Sequence, residues 1–173
     1  MSEVSVRALG GEDWQVYRDV RLAALREAPG AFASSLDQES QFDEAFWRKR
    51  MARSARLLAT ADALDDGSAA GIVSVGDSDE QDVAELFGLW VTPRLRGAGV
   101  AWKLVEAATV HAKGEGRRVL QAWVSTDNGR AVAFFSSYGF RPTDQRRAHD
   151  GGAEEIAMVY PLGDDRGWVP PTA

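Results

Sequence analysis

Apolar residues alternate with polar ones in some segments of the chain and recur at helical spacing in others. Residues 4–8 alternate, which predicts a first strand. Residues 12–28 place apolar side chains along one helical stripe, which predicts a helix that ends at Pro29 and Gly30. The same reasoning predicts helices over residues 43–54, 99–113 and 128–137, strands over residues 57–61, 69–75, 83–91, 119–124 and 156–160, and a short strand around Phe140.

The order of these elements predicts a mixed α/β fold, in which helices cover the faces of a central sheet. No repeat or low-complexity linker divides the chain, so we expect a single domain over residues 1–173, with a loosely held tail over residues 163–173. The strand over residues 83–91 is almost wholly apolar, and this pattern predicts burial on both of its faces. Three tryptophans, Trp14, Trp90 and Trp102, are expected to fill the core.

The composition narrows the possible functions. The chain has 173 residues, no cysteine and a net charge of −6. Without cysteine there is no disulfide, no thiolate metal site and no cysteine nucleophile. An acidic protein lacks the basic face that nucleic-acid phosphates require, so no nucleic-acid partner is expected. No apolar run approaches the roughly 20 residues of a membrane span and the first residues do not resemble a signal peptide, so we expect a cytoplasmic protein without a membrane partner.

Charge is unevenly distributed along the sequence. Every charged residue between positions 62 and 85 is acidic, whereas residues 94–118 carry six basic side chains against two acidic ones. This pattern fits a protein that binds a cationic substrate and an anionic cofactor. On charge alone, two solvated surfaces are the simpler interpretation.

A proline and two glycines separate the strand over residues 83–91 from the next helix. The segment reads Val91-Thr92-Pro93-Arg94-Leu95-Arg96-Gly97-Ala98-Gly99-Val100-Ala101. Glycines let the backbone approach a ligand closely, and the N–H groups at a helix start bind phosphate. Arg94 and Arg96 can add charge-assisted contacts. The segment therefore predicts a phosphate-binding turn.

Three kinds of phosphate-binding loop compete for this segment. A Walker loop requires Gly-Lys-Ser/Thr at its end, and the segment has none. A dinucleotide-binding fingerprint requires a third glycine at the position of Trp102. The remaining candidate is the pyrophosphate loop of acetyltransferases, Gln/Arg-x-x-Gly-x-Gly/Ala, which residues 94–99 match at every defined position.

The segments around this loop resemble the GCN5-related N-acetyltransferase (GNAT) family. The resemblance covers residues 85–101 and resumes at residues 128–135 and 139–140, where the family has Asn-x-x-Ala-x-x-Phe-Tyr and then Gly-Phe. The first strand and helix also look like the start of the family. The resemblance implies the GNAT fold, a mixed and mostly antiparallel sheet of about six or seven strands, flanked by about four helices and splayed at the cofactor site.

The resemblance also implies acetyl-CoA as co-substrate and no metal. The backbone of Leu89 and Val91 would contact the pantetheine and acetyl groups, with Gly88 permitting a local bulge in the strand. The N–H groups of residues 96–101 would hold the pyrophosphate, and Asn128 would bond the cofactor arm besides capping its helix. The cofactor-binding residues implied in this way are Leu89, Trp90, Val91, Arg94, Leu95, Arg96, Gly97, Ala98, Gly99, Val100, Ala101, Asn128, Phe134 and Phe135.

Two side chains are candidates for catalytic proton transfer. Glu85 is the single carboxylate in an apolar strand, where its burial is costly unless it has a function or a partner. Related enzymes often use a glutamate here to take the proton of the amine, while an arginine-paired structural glutamate is the alternative. Phe135 stands where the family commonly has a tyrosine that protonates the leaving thiolate. Tyr138, almost one helical turn later, is the substitute candidate, and ordinary packing is its alternative.

The residues that bind the acceptor amine are expected mainly in the variable segments over residues 29–39 and 141–152. The candidate acceptor residues are Phe32, Asp37, Glu39, Trp47 and Trp123. We expect direct attack of a small-molecule amine on acetyl-CoA in a ternary complex. Acetylation of a protein N-terminus or lysine is an alternative, and so is a catalytically weak sensor that binds acyl-CoA. The sequence leaves a homodimer open.

Overall fold

A computed structural model describes residues 3–32, 34–148 and 153–163 of the chain. Its strands are β1 (Val4–Ala8), β2 (Ala55–Ala61), β3 (Gly71–Asp77), β4 (Val83–Val91), β5 (Val119–Ser125), β6 (Arg141–Ala148) and β7 (Glu154–Pro161). Its helices are α1 (Trp14–Glu27), α2 (Leu36–Glu39), α3 (Glu44–Arg53), α4 (Val100–Gly114) and α5 (Gly129–Tyr138). The strands form a seven-stranded mixed sheet in the order β1-β2-β3-β4-β5-β7-β6.

The chain divides into two compact units, and the first comprises residues 1–76 and 88–108. In this unit β1 pairs antiparallel with β2, and β2 pairs antiparallel with β3. Its core includes aromatic residues of α1, α3 and β4, among them Trp14, Tyr17, Trp47 and Trp90. Burying such large side chains removes much apolar surface from water and provides the main stabilisation of this unit.

The second unit comprises residues 77–87 and 109–173. The first half of β4 pairs parallel with β5, from Val83 with Val119 to Leu86 with Ala122. β5 then pairs antiparallel with β7, and β7 with β6, whose register shifts between Pro142 and Arg146. The paired segment of β4 ends two residues before Gly88, whose φ of 65° marks a change of backbone direction that favours glycine.

Most predicted elements are confirmed to within a few residues, including the caps. The Asp43 side chain accepts the Phe46 N–H at 3.0 Å, and Asn128 accepts the Ala131 N–H at 3.1 Å. α2 was missed because four residues are too few for a periodic signal. The segment expected to be a loop over residues 141–152 instead forms β6, and residues 149–152 lie outside the described residues, as does the tail from residue 164.

Two predictions about burial are wrong. β4 is not buried on both faces, because Ala84, Leu86 and Trp90 are buried while Phe87 is 39% exposed and the residues alternating with it are partly exposed. Trp102 is 40% exposed and does not fill the core, although Trp14 and Trp90 do. An apolar pattern reports which side chains disfavour water, and it does not report how much surface neighbouring elements cover.

Glu39 is buried in the first unit and bound by two arginines. Its carboxylate has no exposed surface and accepts hydrogen bonds from Arg21 at 3.0 Å and from Arg50 at 2.9 Å. Burial by itself would raise the pKa of Glu39, but these hydrogen bonds and the two positive charges lower it from 4.5 to about 2. The ion pairs thus connect α2 with α1 and α3 and offset the desolvation of the carboxylate.

This cluster makes stability depend on pH. Because the folded-state pKa of Glu39 is below its unfolded value of 4.5, the stabilisation is present above pH 4.5 and is lost as the pH falls towards 2. The shift corresponds to about 3 kcal/mol of free energy of unfolding. We expect Glu39→Gln to lower this free energy at pH 7 by about that amount and to flatten its acid dependence, as measured by urea unfolding. Asp37→Asn, an exposed change on the same helix, is the control and should leave both properties unchanged.

Candidate functional site

The turn between β4 and α4 lies in the first unit and has the backbone geometry of a ligand-binding loop. A short 3-10 turn covers Pro93–Leu95, and α4 begins at Val100. Gly97 and Gly99 have φ values of 86° and 87°, which side chains other than glycine rarely adopt. Among the residues that the structure describes, no atom beyond the adjacent residues lies within 4 Å of a Cβ placed on either glycine. The glycines are therefore needed for the backbone conformation, and the space beside them is open.

The backbone N–H groups of this turn divide into two sets. Arg96 N–H donates to the Pro93 carbonyl at 3.3 Å, and Ala98 N–H donates to the Leu95 carbonyl at 3.1 Å. This corrects the expectation that every N–H group over residues 96–101 is available to a ligand. Among the described residues, the N–H groups of Gly97, Gly99, Val100 and Ala101 have no backbone partner, whereas Lys103 N–H donates to the Gly99 carbonyl at 3.1 Å. N–H groups of this kind at the start of a helix can bind an anion.

The loop is connected to α1 by Glu27, which the sequence did not identify. The Glu27 carboxylate accepts a hydrogen bond from the Trp90 indole at 3.0 Å and another from the Arg96 guanidinium. The hydrogen bond from Trp90 is the largest cause that lowers the pKa of Glu27, and the contact with Arg96 lowers it further. Desolvation has the opposite effect but does not outweigh them. Arg96 Nε also donates to the Val91 carbonyl at 3.1 Å, so this carbonyl and part of the guanidinium already have partners inside the protein.

The other predicted cofactor residues of the first unit have different environments. Leu95 and Val100 are buried and fix the loop to the core, with 8% and 1% of their surface exposed. Arg94, Ala98 and Gly99 are exposed. The loop therefore has an apolar side that anchors it and a solvent-facing side that presents a cation and backbone N–H groups.

In the second unit, Asn128, Phe134 and Phe135 lie at or in α5. The Asn128 side chain caps the helix, as predicted. Phe135 is 6% exposed, and its ring lies 5.2 Å from that of Phe134 and 5.1 Å from that of Phe140. The residue at the usual tyrosine position is thus a core residue in this chain.

Glu85 lies on the partly exposed face of β4, in the same unit. Its side chain is 23% exposed, and Oε1 is 3.9 Å from a guanidinium nitrogen of Arg147. Burial raises the pKa of Glu85, while Arg147 and a hydrogen bond from Trp123 oppose this increase. A half-buried carboxylate with a raised pKa, next to open surface, has the properties of a general base.

Tyr138 lies on the opposite face of the sheet from Glu85. Its ring is 5.2 Å from the Tyr160 ring, and its hydroxyl is 3.4 Å from Oγ1 of Thr109. Glu85 aligns through β5 with Val159, so its side chain shares the face of Val159. Successive residues of a strand point to opposite faces, so Tyr160 and the Tyr138 ring packed against it lie on the other one. This placement favours packing as the role of Tyr138.

The predicted acceptor residues have different environments. Glu39 and Trp47 have no exposed surface and cannot contact an acceptor in this structure, which corrects the sequence expectation. Phe32 packs under the Arg21 guanidinium at 4.7 Å, and Asp37 is exposed on α2. Trp123 is the member that lies beside Glu85.

Two residues that contact this face, Arg147 and Glu155, were missed by sequence reasoning. Arg147 lies in the part of β6 that was expected to be a loop, beyond the short strand predicted around Phe140, and Glu155 lies directly opposite it in β7. Residues 141–148 are mostly polar and do not alternate apolar with polar side chains, so they carry no strand pattern. In the described ranges no helix could span a membrane, and no group of three or more His, Cys, Asp or Glu side chains is arranged to hold a metal ion.

A family model described as the acetyltransferase (GNAT) family matches residues 22–140, which is more than half of the chain. An uncharacterised N-acetyltransferase of Archaeoglobus fulgidus is 34% identical over 93 residues, which are 51% of this chain and 60% of that protein. An uncharacterised N-acetyltransferase of Methanocaldococcus jannaschii matches over 29% of its own length. The chain therefore spans less than two thirds of the length of these relatives.

Solved structures of similar fold cover nearly the whole chain. A Salmonella typhimurium protein named as an acetyltransferase, solved with its cofactor acetyl-CoA, has a TM-score of 0.69 at 18% identity and covers 99% of both chains. A Thermoplasma acidophilum N-acetyltransferase in complex with coenzyme A has a TM-score of 0.65 at 19% identity, covering 92% of this chain and 99% of its own. At these identities the likeness concerns the fold.

The position of Tyr138 generates a prediction about the thiolate. We expect Tyr138→Phe to leave the rate of thiol release from acetyl-CoA within about twofold of the parent, because its hydroxyl lies on the face opposite Glu85. Loss of a general acid would slow the reaction by roughly 100-fold or more. The measurement is thiol release followed with a thiol-reactive dye, with Tyr160→Phe as the matched control. A large decrease in Tyr138→Phe alone, with an unchanged melting temperature, would make Tyr138 the proton donor.

Proposed function

Because the chain belongs to the acetyltransferase (GNAT) family, we propose that it transfers the acetyl group of acetyl-CoA to a primary amine of a small molecule. The observation that carries this proposal is the turn between β4 and α4. Its two glycines hold positive φ angles beside open space, and their N–H groups have no backbone partner among the described residues. Acetyl-CoA and coenzyme A in two structures of similar fold support the same co-substrate.

In the proposed complex, the pyrophosphate accepts hydrogen bonds from the N–H groups of Gly97 and Gly99 and from the start of α4. The helix dipole and the exposed Arg94 add positive potential to this surface. Backbone groups of Leu89 would bind the pantetheine arm. These contacts hold the thioester in position, so that its reaction with the amine becomes effectively unimolecular.

The reaction itself is a direct acetyl transfer. The nitrogen of the neutral amine attacks the thioester carbonyl carbon, a C–N bond forms, and the C–S bond breaks to release the thiolate of coenzyme A. Glu85 accepts the proton that the amine nitrogen loses, directly or through a water molecule. Water protonates the thiolate, since Phe135 has no proton to give and Tyr138 packs on the other face of the sheet.

Phe135 favours a second candidate function, an acyl-CoA sensor with little or no turnover. The experiment that separates the two measures thiol release with a panel of amines that includes diamines, aminoglycosides and amino-acid amides, with mass spectrometry of the products. Turnover with any of these supports the enzyme. Cofactor binding without turnover on any amine supports the sensor, and turnover only with peptides supports the alternative of a protein N-terminus or lysine as acceptor.

Gly99→Val tests the pyrophosphate site. A valine at a φ of 87° strains the turn, and its side chain occupies the open space beside the N–H groups. We expect the Kd for acetyl-CoA to rise about 10- to 100-fold, the scale of losing one hydrogen bond to a charged group, while the weaker binding of acetyl-pantetheine, which lacks the pyrophosphate, is unchanged. Isothermal titration calorimetry measures both.

Gly67→Val is the matched control for this change. Gly67 also has a positive φ, of 78°, and open space around its Cβ position, but it lies in the turn between β2 and β3. It should reproduce the backbone strain without affecting the cofactor. Equal affinities of a folded Gly99→Val protein and the parent would contradict the assignment of the loop.

Glu85→Gln tests the general base. We expect kcat to fall by roughly 100-fold or more at neutral and lower pH, with little change in the Kd for acetyl-CoA, and less at high pH where the amine is already neutral. Because the pKa of Glu85 is raised, the rate of the parent should rise with pH as this carboxyl ionises, and the variant should lack that step. The control is Glu12→Gln, because the Glu12 side chain is 91% exposed. A pH–rate profile that matches the parent would make Glu85 a structural residue.

A further inference from the structure

Four neighbouring strands of the second unit place charged and aromatic side chains around Glu85. The strands are β4, β5, β7 and β6, and they contribute Glu85, Trp123, Glu155 and Arg147 in that order. Arg147 aligns with Glu155, and Glu155 aligns with Ser125, two residues after Trp123 in β5. All four side chains therefore lie on one face of the sheet.

Arg147 is held in this group by three contacts. Its guanidinium carbon lies 4.4 Å from the centre of the Trp123 ring, and its Nε is 2.7 Å from Oε1 of Glu155. Its NH1 is 3.9 Å from Oε1 of Glu85. The cation–π contact and the charge-assisted hydrogen bond fix the guanidinium, although 49% of its side chain is exposed. The positive charge consequently stays next to Glu85.

The surroundings of Glu85 make this charge important. Burial disfavours its ionised form, and so do the carboxylates of Asp79 and Glu155, while Trp123 donates a hydrogen bond that favours ionisation. Arg147 is the cation among these groups. The position of Arg147 therefore affects how readily the half-buried Glu85 is deprotonated before the amine binds.

We propose that Arg147 is a positioning residue that holds Glu85 in place and sets the pH range in which Glu85 accepts the proton of the acceptor amine. Trp123 and Glu155 orient Arg147 for this role. The inference rests on the proposed function, because it takes Glu85 as the general base of acetyl transfer. It adds a residue that need not contact either substrate and that lies in a strand the sequence pattern did not reveal.

The test compares pH–rate profiles of Arg147→Gln, Arg147→Lys and Arg146→Gln with that of the parent. In Arg147→Gln, the acid limb of kcat/KM should move to higher pH, so that activity at pH 6.5 falls about three- to tenfold while the plateau at high pH changes by less than about twofold. Arg147→Lys keeps the charge and should restore most of the profile. Arg146→Gln is the matched control. Arg146 precedes Arg147 in the same strand, so it points to the other face of the sheet, where it pairs with Glu154.

Salt provides a measurement that needs no variant. Raising NaCl screens a half-exposed ion pair, so it should move the acid limb of the parent in the direction of Arg147→Gln and leave that variant less affected. Profiles of Arg147→Gln and the parent that coincide, or a shift equally large in Arg146→Gln, would overturn the role of Arg147. If Glu85→Gln retains the acid limb of the parent, the general base itself is misassigned, and this outcome is distinct from a failure of Arg147 alone.

Discussion

The carboxylate of Glu27 is the contact on which the geometry of the proposed phosphate loop depends. It binds Trp90 of β4 and Arg96 of the loop, which are 63 and 69 residues away in the sequence. Arg96 in turn binds the Val91 carbonyl at the end of the strand. One carboxylate thus connects a helix, a strand and a turn, and among the described residues the N–H groups of Gly97 and Gly99 have no backbone partner. A preordered loop lowers the entropic cost of binding a ligand.

Two other glutamates show how the same ionic contact serves different purposes. Glu39 has no exposed surface and two arginine partners, which lower its pKa to about 2. Glu85 is partly exposed, has one arginine at a longer distance, and has a raised pKa. The first arrangement stabilises the fold, and the second leaves a carboxylate that can exchange a proton. The difference comes from burial and from the number of partners, not from the residue type.

Much of the site was predictable from the sequence because it depends on local backbone geometry. A glycine at a positive φ, a proline after a strand and an asparagine at a helix start act within a few residues of their own position. The sequences of the proposed phosphate loop and of the cap at Asn128 are therefore contained in short segments, and those segments also indicated the family and the fold. The charge partners were not predictable, since Glu27 and Arg147 reach their targets only through strand pairing and helix packing.

The amino-acid sequence by itself determined the order of the main strands and helices, the loop between β4 and α4, and Glu85 as an unusual carboxylate. These features follow from the periodicity of hydrophobic residues and from the conformational preferences of single residues. Both act over short distances along the chain. Only the tertiary structure decided that Trp47 and Glu39 are buried, that Tyr138 and Glu85 lie on opposite faces of one sheet, and that Arg96 is occupied by Glu27. Burial and charge pairing join residues that are distant along the chain, so the fold must bring them together before either property exists.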